Sequence, residues 1–225
     1  MTKKASSALL LALAIALALP RTGDAETAAP VSLGFAERLN DAALARTEAF
    51  VLYDPAYVRI AYPGGDVAEN RGVCSDVVIR AYRALGVDLQ KLVHEDMRAN
   101  FAAYPKHWGL TRPDSNIDHR RVPNLETFLR RQGTALPPSD DPADYKPGDV
   151  VAWNLRGPGG FLPHIGIVTD RIAPSGLPRI VHNIGAGPQL EDVLFSWPMT
   201  GHYRYLPEGV AEPAAESALI AEPGR

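Results

Sequence analysis

The chain has one cysteine, Cys74, among 225 residues, and its position favours a reactive thiol. Apolar residues recur at helical spacing after Cys74 as far as Leu85, and Gly86 can end that helix. Cys74 therefore lies at a predicted helix start, where free backbone N–H groups and the helix dipole favour the thiolate. The alternative is a small buried hydrophobic side chain, which is the usual role of a lone cysteine.

A thiol nucleophile also needs a base and a group that orients the base. His164 opens a predicted strand, and His182 lies near the end of the next one. If these strands form an antiparallel hairpin, the two imidazoles meet at one edge of the sheet, and a packed helix brings Cys74 there. Both histidines can instead be polar strand ends. Asn183 is the second candidate for the orienting group.

Hydrophobic periodicity divides the chain into a helical half and a strand half. We expect helices first and antiparallel strands second, which is an α+β fold with N-terminal helices packed on an antiparallel sheet. Asp88 and Asn124 are the expected caps of the third and fourth helices. The predicted helices cover residues 32–50, 74–85, 89–101 and 125–132, and the predicted strands 150–153, 164–169, 179–183 and 202–205.

The N-terminus has the pattern of a secretory signal peptide. Lys3 and Lys4 precede an apolar run over 8–19, and a polar stretch ends in Ala25. We expect cleavage after Ala25, with an uncleaved anchor as the alternative. The protein is then periplasmic or secreted, with no stable membrane span after cleavage. We expect one domain over 26–206 and a disordered tail over 207–225. The net charge of −3 gives no basic field for nucleic acid.

Several motifs resemble those of the NlpC/p60 papain-like cysteine peptidases. The motifs are Tyr62-Pro63-Gly64-Gly65, Cys74-Ser75, His164-Ile165-Gly166-Ile167-Val168 and Ile180-Val181-His182. A more specific resemblance, over about 35–206, is to a bacterial family within that superfamily, the domain of unknown function 1287. It is carried by residues 72–78, 92–97, 116–124 and 201–205. The resemblance implies a papain-like fold, with Cys74 as nucleophile, His164 as base, His182 as orienting group and Tyr62 at the oxyanion.

Two features depart from those peptidases. Asp76 replaces the glycine that follows their Cys-Ser pair, where it can complement the helix dipole or raise the thiol pKa. A longer insertion between Cys74 and His164 contains Asp118-His119-Arg120-Arg121. These side chains either line the cleft and bind a substrate carboxylate, or an Asp118–Arg121 ion pair fastens the loop. The possible substrate-binding residues are Asp76, His119, Arg120, Arg121 and Asn183.

The function expected from these residues is a cell-envelope thiol hydrolase, an amidase or peptidase with peptidoglycan peptides or another envelope amide as the expected substrate, without a cofactor or metal. The alternatives are an acyltransferase, a non-catalytic envelope binding domain, and a metal-dependent hydrolase using His119, His164, His182 and an aspartate. We expect the pKa of Cys74 below about 8.5, because the helix start and a protonated His164 should outweigh Asp76.

Overall fold

The first half of the chain forms helices in the expected order. The computed structural model describes residues 34–207, so the predicted signal peptide and nearly all of the predicted tail lie outside the described residues. Four α-helices are present in the described part: α1 (Phe35–Ala45), α2 (Cys74–Ala84), α3 (Leu89–Ala99) and α4 (Val122–Gln132). No helix within 34–207 is both long and apolar enough to cross a membrane.

The helix boundaries differ from expectation most at the end of the first helix and at the start of the fourth. The first helix ends at Ala45, where a 3₁₀ turn over Arg46–Glu48 follows. Asn124 does not cap α4, because that helix begins at Val122 with Arg121 as its N-cap, and Pro123 in the first turn costs no backbone hydrogen bond. Asp88 caps α3 as predicted, and its side chain accepts a hydrogen bond from the Lys91 amide.

The second half forms the antiparallel sheet, so the α+β class is confirmed. The strands are β1 (Leu52–Tyr53), β2 (Arg71–Gly72), β3 (Thr134–Leu136), β4 (Val150–Asn154), β5 (Pro163–Ile172), β6 (Pro178–Asn183), β7 (Pro188–Glu191) and β8 (Met199–Arg204). Six of them form one sheet in the order β3-β8-β4-β5-β6-β7. A separate parallel pair, β1 and β2, lies before α2. β1, β2, β3 and β7 were not predicted.

The two faces of the sheet carry two separate apolar clusters, because side chains alternate along each strand. Ile165 and Ile167 face the helices and share the larger cluster with Cys74. Trp153 and Val168 face the opposite side, in a smaller cluster with Leu194. His164 is the register partner of Trp153, so the position of His164 belongs to the smaller cluster's face.

Gly166 allows β5 and β6 to approach each other beside the histidines. A Cβ atom on Gly166 would lie 2.6 Å from Cγ2 of Ile180 and 3.1 Å from Cβ of His182. The first distance is far inside van der Waals contact, so a larger residue here must push the two strands apart.

We therefore expect Gly166→Ala to lower the free energy of unfolding by about 1–3 kcal/mol, the usual cost of overpacking a core. Chemical denaturation measures it. Gly159→Ala is the matched control, because a Cβ there meets nothing within 4 Å and Gly159 does not have a positive φ. Equal stability of the two variants would contradict this packing.

Candidate active site

Cys74 is the first residue of α2 and is buried, with 5 % of its surface exposed. The backbone N–H groups of Ile165, Ser75 and Cys74 itself donate hydrogen bonds toward its sulfur. Burial outweighs these donors and raises the pKa of the Cys74 thiol to about 12, and the Asp76 carboxylate acts in the same direction. The expectation of a pKa below 8.5 was therefore wrong, because burial was not visible in the sequence. At neutral pH the thiol keeps its proton.

His164 and His182 meet as expected, and a third residue extends the pair. Nε2 of His164 lies 2.8 Å from Nδ1 of His182, and Nε2 of His182 lies 2.8 Å from Oε2 of Glu191. The second contact is close but bent away from the axis of the ring N–H. Both histidines are buried, with at most 2 % exposed. The three residues form a series that we call the His–His–Glu series.

The chemistry of Glu191 assigns the proton positions in this series. A carboxylate only accepts hydrogen bonds, so Nε2 of His182 carries its proton and Nδ1 accepts. Nε2 of His164 then donates to His182, which leaves Nδ1 of His164 with a lone pair. That nitrogen makes no hydrogen bond to any residue of 34–207. His164 is thus held in one orientation with an unprotonated Nδ1.

Both imidazoles are neutral near pH 7. Burial, followed by the neighbouring His182, lowers the pKa of His164 to about 3. Burial also lowers the pKa of His182, against the opposite influence of Glu191. The resting site thus contains a neutral thiol and neutral imidazoles, which differs from the imidazolium–thiolate pair expected from the sequence.

At the beginning of β5, the Cys74 side chain lies on one face of the sheet and the His164 side chain lies on the other. The sulfur accepts the N–H of Ile165, the residue after His164, whereas the His164 ring stacks on Trp153 at 5.8 Å. Across residues 34–207, no hydrogen bond joins the sulfur to either imidazole. Register pairing of β5 with β6 begins only at Ile167, which leaves this end of the two strands unpaired.

A cleft of about 400 Å³ opens beside Cys74. Its lining is mostly apolar and includes Tyr53, Trp108 and Leu162. Burial and the neighbouring Cys74 raise the pKa of Tyr53 to about 12, so its hydroxyl stays protonated and can donate. Tyr62 does not line this cleft and instead packs edge-on against His94 at 5.0 Å. The tyrosine beside the thiol is therefore Tyr53, which corrects the expectation for Tyr62.

Asp76 and Arg120 bind each other. Nε and Nη2 of Arg120 lie 2.9 and 2.8 Å from the two Asp76 oxygens, and both side chains are almost fully buried. Asp76 also accepts the Val73 amide at the start of α2, and the Ser75 hydroxyl donates to the Arg120 carbonyl. This pair holds the insertion against α2, so neither side chain is available to a substrate.

The other expected binding residues divide between cleft and core. Arg121 pairs with Asp118 at 3.3 Å, as the structural alternative predicted, yet it also covers Trp108 and lines the cleft. His119 is buried away from the cleft, and burial lowers its pKa to about 4. Asn183 is buried, and its side chain accepts the Gly185 amide. His182, and not Asn183, is the partner of His164.

Sequence reasoning missed Glu191 and Tyr53. Both lie on short strands, β7 and β1, whose few residues give little periodicity to detect. The sequence did contain one signal for the strand that carries Glu191. Gly185 and Gly187, which both have positive φ, indicate a turn after His182 and hence a further strand beyond it. Among residues 34–207, no group of three or more His, Cys, Asp or Glu side chains is arranged to hold a metal ion.

The protein is thus an α+β domain in which a single thiol at a helix start meets the open end of an antiparallel sheet that carries the His–His–Glu series. It belongs to the family described as Domain of unknown function (DUF1287), whose sequence profile matches residues 40–205. The chain is 63 % identical over 155 residues to "Uncharacterized protein YijF" of Escherichia coli (strain K12), covering 69 % of this chain and 74 % of that protein.

Among solved structures, the chain is similar to NlpC2 from Trichomonas vaginalis. The TM-score is 0.44 at 16 % sequence identity, over 77 % of this chain and 48 % of that one. The chain therefore spans about half the length of the NlpC2 structure.

Asp76→Asn is expected to lower the free energy of unfolding by about 3–5 kcal/mol, because it leaves the buried Arg120 charge without its partner. Urea denaturation measures the loss. Arg71→Gln is the matched control: it breaks the Arg71–Asp54 ion pair, in which Arg71 is half exposed, and should change stability little. A small effect of Asp76→Asn would show that the pair does not hold the insertion.

The alkylation rate of Cys74 should rise with pH through an inflection above that of a free cysteine model compound, whose pKa is about 8.5. Since the chain has one cysteine, iodoacetamide labelling followed by mass spectrometry reports this thiol alone. His164→Ala should leave the inflection unchanged, because the neutral imidazole does not stabilise a thiolate at rest. An inflection below the reference value that moves upward in His164→Ala would instead reveal a preformed ion pair.

Proposed function

We propose that this protein is a thiol hydrolase of amide bonds, with Cys74 as nucleophile and His164 as general base. The observation that carries the proposal is the His–His–Glu series, which holds His164 with an unprotonated Nδ1, and His164 directly precedes Ile165, whose amide donates to the Cys74 sulfur. Nucleophile, base and orienting group are the parts that such catalysis requires. The motif resemblance to the NlpC/p60 peptidases supports the same assignment.

The neutral resting state sets the order of proton transfer. As the Cys74 sulfur forms a bond to the substrate carbonyl carbon, its proton passes to Nδ1 of His164. The imidazolium is stabilised by Nδ1 of His182, whose other nitrogen lies against the Glu191 carboxylate. His164 then protonates the leaving amine as the C–N bond breaks, and a thioester remains. Water then attacks the thioester carbonyl and gives a proton to His164. As the C–S bond breaks, His164 returns that proton to the sulfur, so the acid is released and the neutral thiol is restored.

This reaction requires the sulfur and Nδ1 of His164 to come within hydrogen-bonding distance when a substrate fills the cleft. The oxyanion would be stabilised by two donors, the Cys74 backbone N–H and the Tyr53 hydroxyl. Tyr53 suits this role because its raised pKa keeps the hydroxyl protonated. Both residues line the cleft.

We place the activity in the cell envelope, with peptidoglycan peptides or another envelope amide as substrate. The proposal rests on the signal-peptide pattern of residues 1–25 and on the motif resemblance. The mature protein would then be periplasmic or secreted. Acyl transfer to an acceptor other than water would use the same thioester.

One observation favours a second candidate, a non-catalytic envelope binding domain. The raised pKa of Cys74 and the missing sulfur–imidazole hydrogen bond are those of an inert buried cysteine. The aromatic cleft would then bind an envelope component without cleaving it. This candidate predicts that substitution of Cys74 changes no activity.

We expect the purified protein to release fragments from peptidoglycan that mass spectrometry identifies. Cys74→Ala and His164→Ala should each lower the rate by about 1000-fold or more, because nucleophile and base act as a unit. Glu191→Gln should cost about tenfold, since it removes the charge that stabilises the His164–His182 pair. Asp192→Asn is the matched control, because this neighbouring carboxylate accepts a hydrogen bond from the Ser175 hydroxyl and from no other residue of 34–207.

Two outcomes decide between the candidates. Full activity in Cys74→Ala would overturn the mechanism. Binding of peptidoglycan without release of fragments, equal in wild type and Cys74→Ala, would establish the binding domain.

A further inference from the structure

A second pocket adjoins the Cys74 cleft and shares one wall with it. The pocket has a volume of about 690 Å³ and is lined by Tyr57, Arg59, His94 and residues 109–116. Tyr57 also lines the cleft beside Cys74. A substrate in the cleft can therefore extend past Tyr57 into this second pocket, which we call the arginine pocket.

The pocket lining has a net positive charge, because it contains two arginines, Arg59 and Arg112, and one carboxylate, Asp114. Arg59 and Arg112 are exposed, and neither forms a hydrogen bond or ion pair within residues 34–207. The one carboxylate in the lining, Asp114, already accepts hydrogen bonds from the Tyr57 hydroxyl at 3.0 Å and from the Asn116 amide groups at 2.9 and 2.8 Å. The N–H donors of these two guanidinium groups therefore have no hydrogen-bond partner within residues 34–207.

His94 lines the same pocket without adding a charge to it. Burial lowers the pKa of His94, and Arg98 acts in the same direction, against Asp114 and Glu95, so the ring is neutral near pH 7. The ring packs against Tyr62, and its Nδ1 atom is buried. The groups of the pocket that an oxygen-rich anion fits are therefore the two arginines.

We propose that the arginine pocket binds a carboxylate of the substrate, so that this protein selects acidic peptides or amides over neutral ones. Guanidinium groups grip carboxylates through paired, charge-assisted hydrogen bonds. The role as a specificity site rests on the proposed hydrolase function, whereas carboxylate binding itself does not. The sequence suggested Arg120 as the residue that binds a substrate carboxylate, but Arg120 is paired with Asp76. In this proposal, Arg59 and Arg112 supply the positive charge that binds the carboxylate.

Binding to the Cys74→Ala protein tests the proposal, because this variant separates binding from hydrolysis. The probes are N-acetylisoglutamine, whose γ-carboxylate is its single charge, and its neutral isostere N-acetylglutaminamide, titrated while the arginine Nε–H signals are followed by NMR. The carboxylate form should bind at least about tenfold more tightly, as expected for a charge-assisted hydrogen bond. It should shift the Arg59 and Arg112 signals.

Adding Arg59→Gln and Arg112→Gln together should abolish this preference, whereas Arg156→Gln should keep it. Arg156 is an exposed arginine outside the pocket. Equal affinity for the two probes, or a preference that survives the double substitution, would overturn the proposal. If the hydrolase function fails while the arginine-dependent preference remains, the pocket is the anion site of a binding domain.

Discussion

The buried ion pair between Asp76 and Arg120 positions the rest of the site. Two charges with almost no solvent contact are costly to desolvate, and here two direct hydrogen bonds and further backbone partners offset that cost. The pair joins the start of α2, through the Val73 amide, to the insertion and to the carbonyl groups of Asp54 and Ala56. The ion pair therefore fixes the position of Cys74 relative to the wall of the cleft.

Burial also determines the reactivity of the site. The packing that fixes Cys74 removes it from water, and this raises the thiol pKa more than three backbone donors lower it. The same burial keeps His164 neutral. A thiol of this kind is stable at rest and becomes a nucleophile only when a base takes its proton during attack. In the proposed mechanism, the His–His–Glu series supplies that base in one orientation, and proton transfer accompanies the attack of the sulfur.

Local patterns were enough to predict much of this structure. Helical spacing after Cys74 located α2, and strand alternation brought His164 and His182 to one edge of the sheet. The missing parts depend on contacts that sequence patterns do not contain. Arg120 reaches Asp76 across 44 residues, so the sequence could not show that each neutralises the other. Glu191 lies on an unpredicted strand, and the depth of Cys74 followed only from packing against β5.

The central claim is that Cys74 carries the acyl group during turnover, and trapping the intermediate tests it most directly. Substrate and protein are mixed, quenched in acid within the first turnovers and analysed by intact and peptide mass spectrometry. We predict that the protein gains the mass of the acyl fragment on the peptide that contains Cys74, and that hydroxylamine removes it, as for a thioester. Turnover of substrate with no adduct on Cys74, or with the adduct on another residue, would contradict the account.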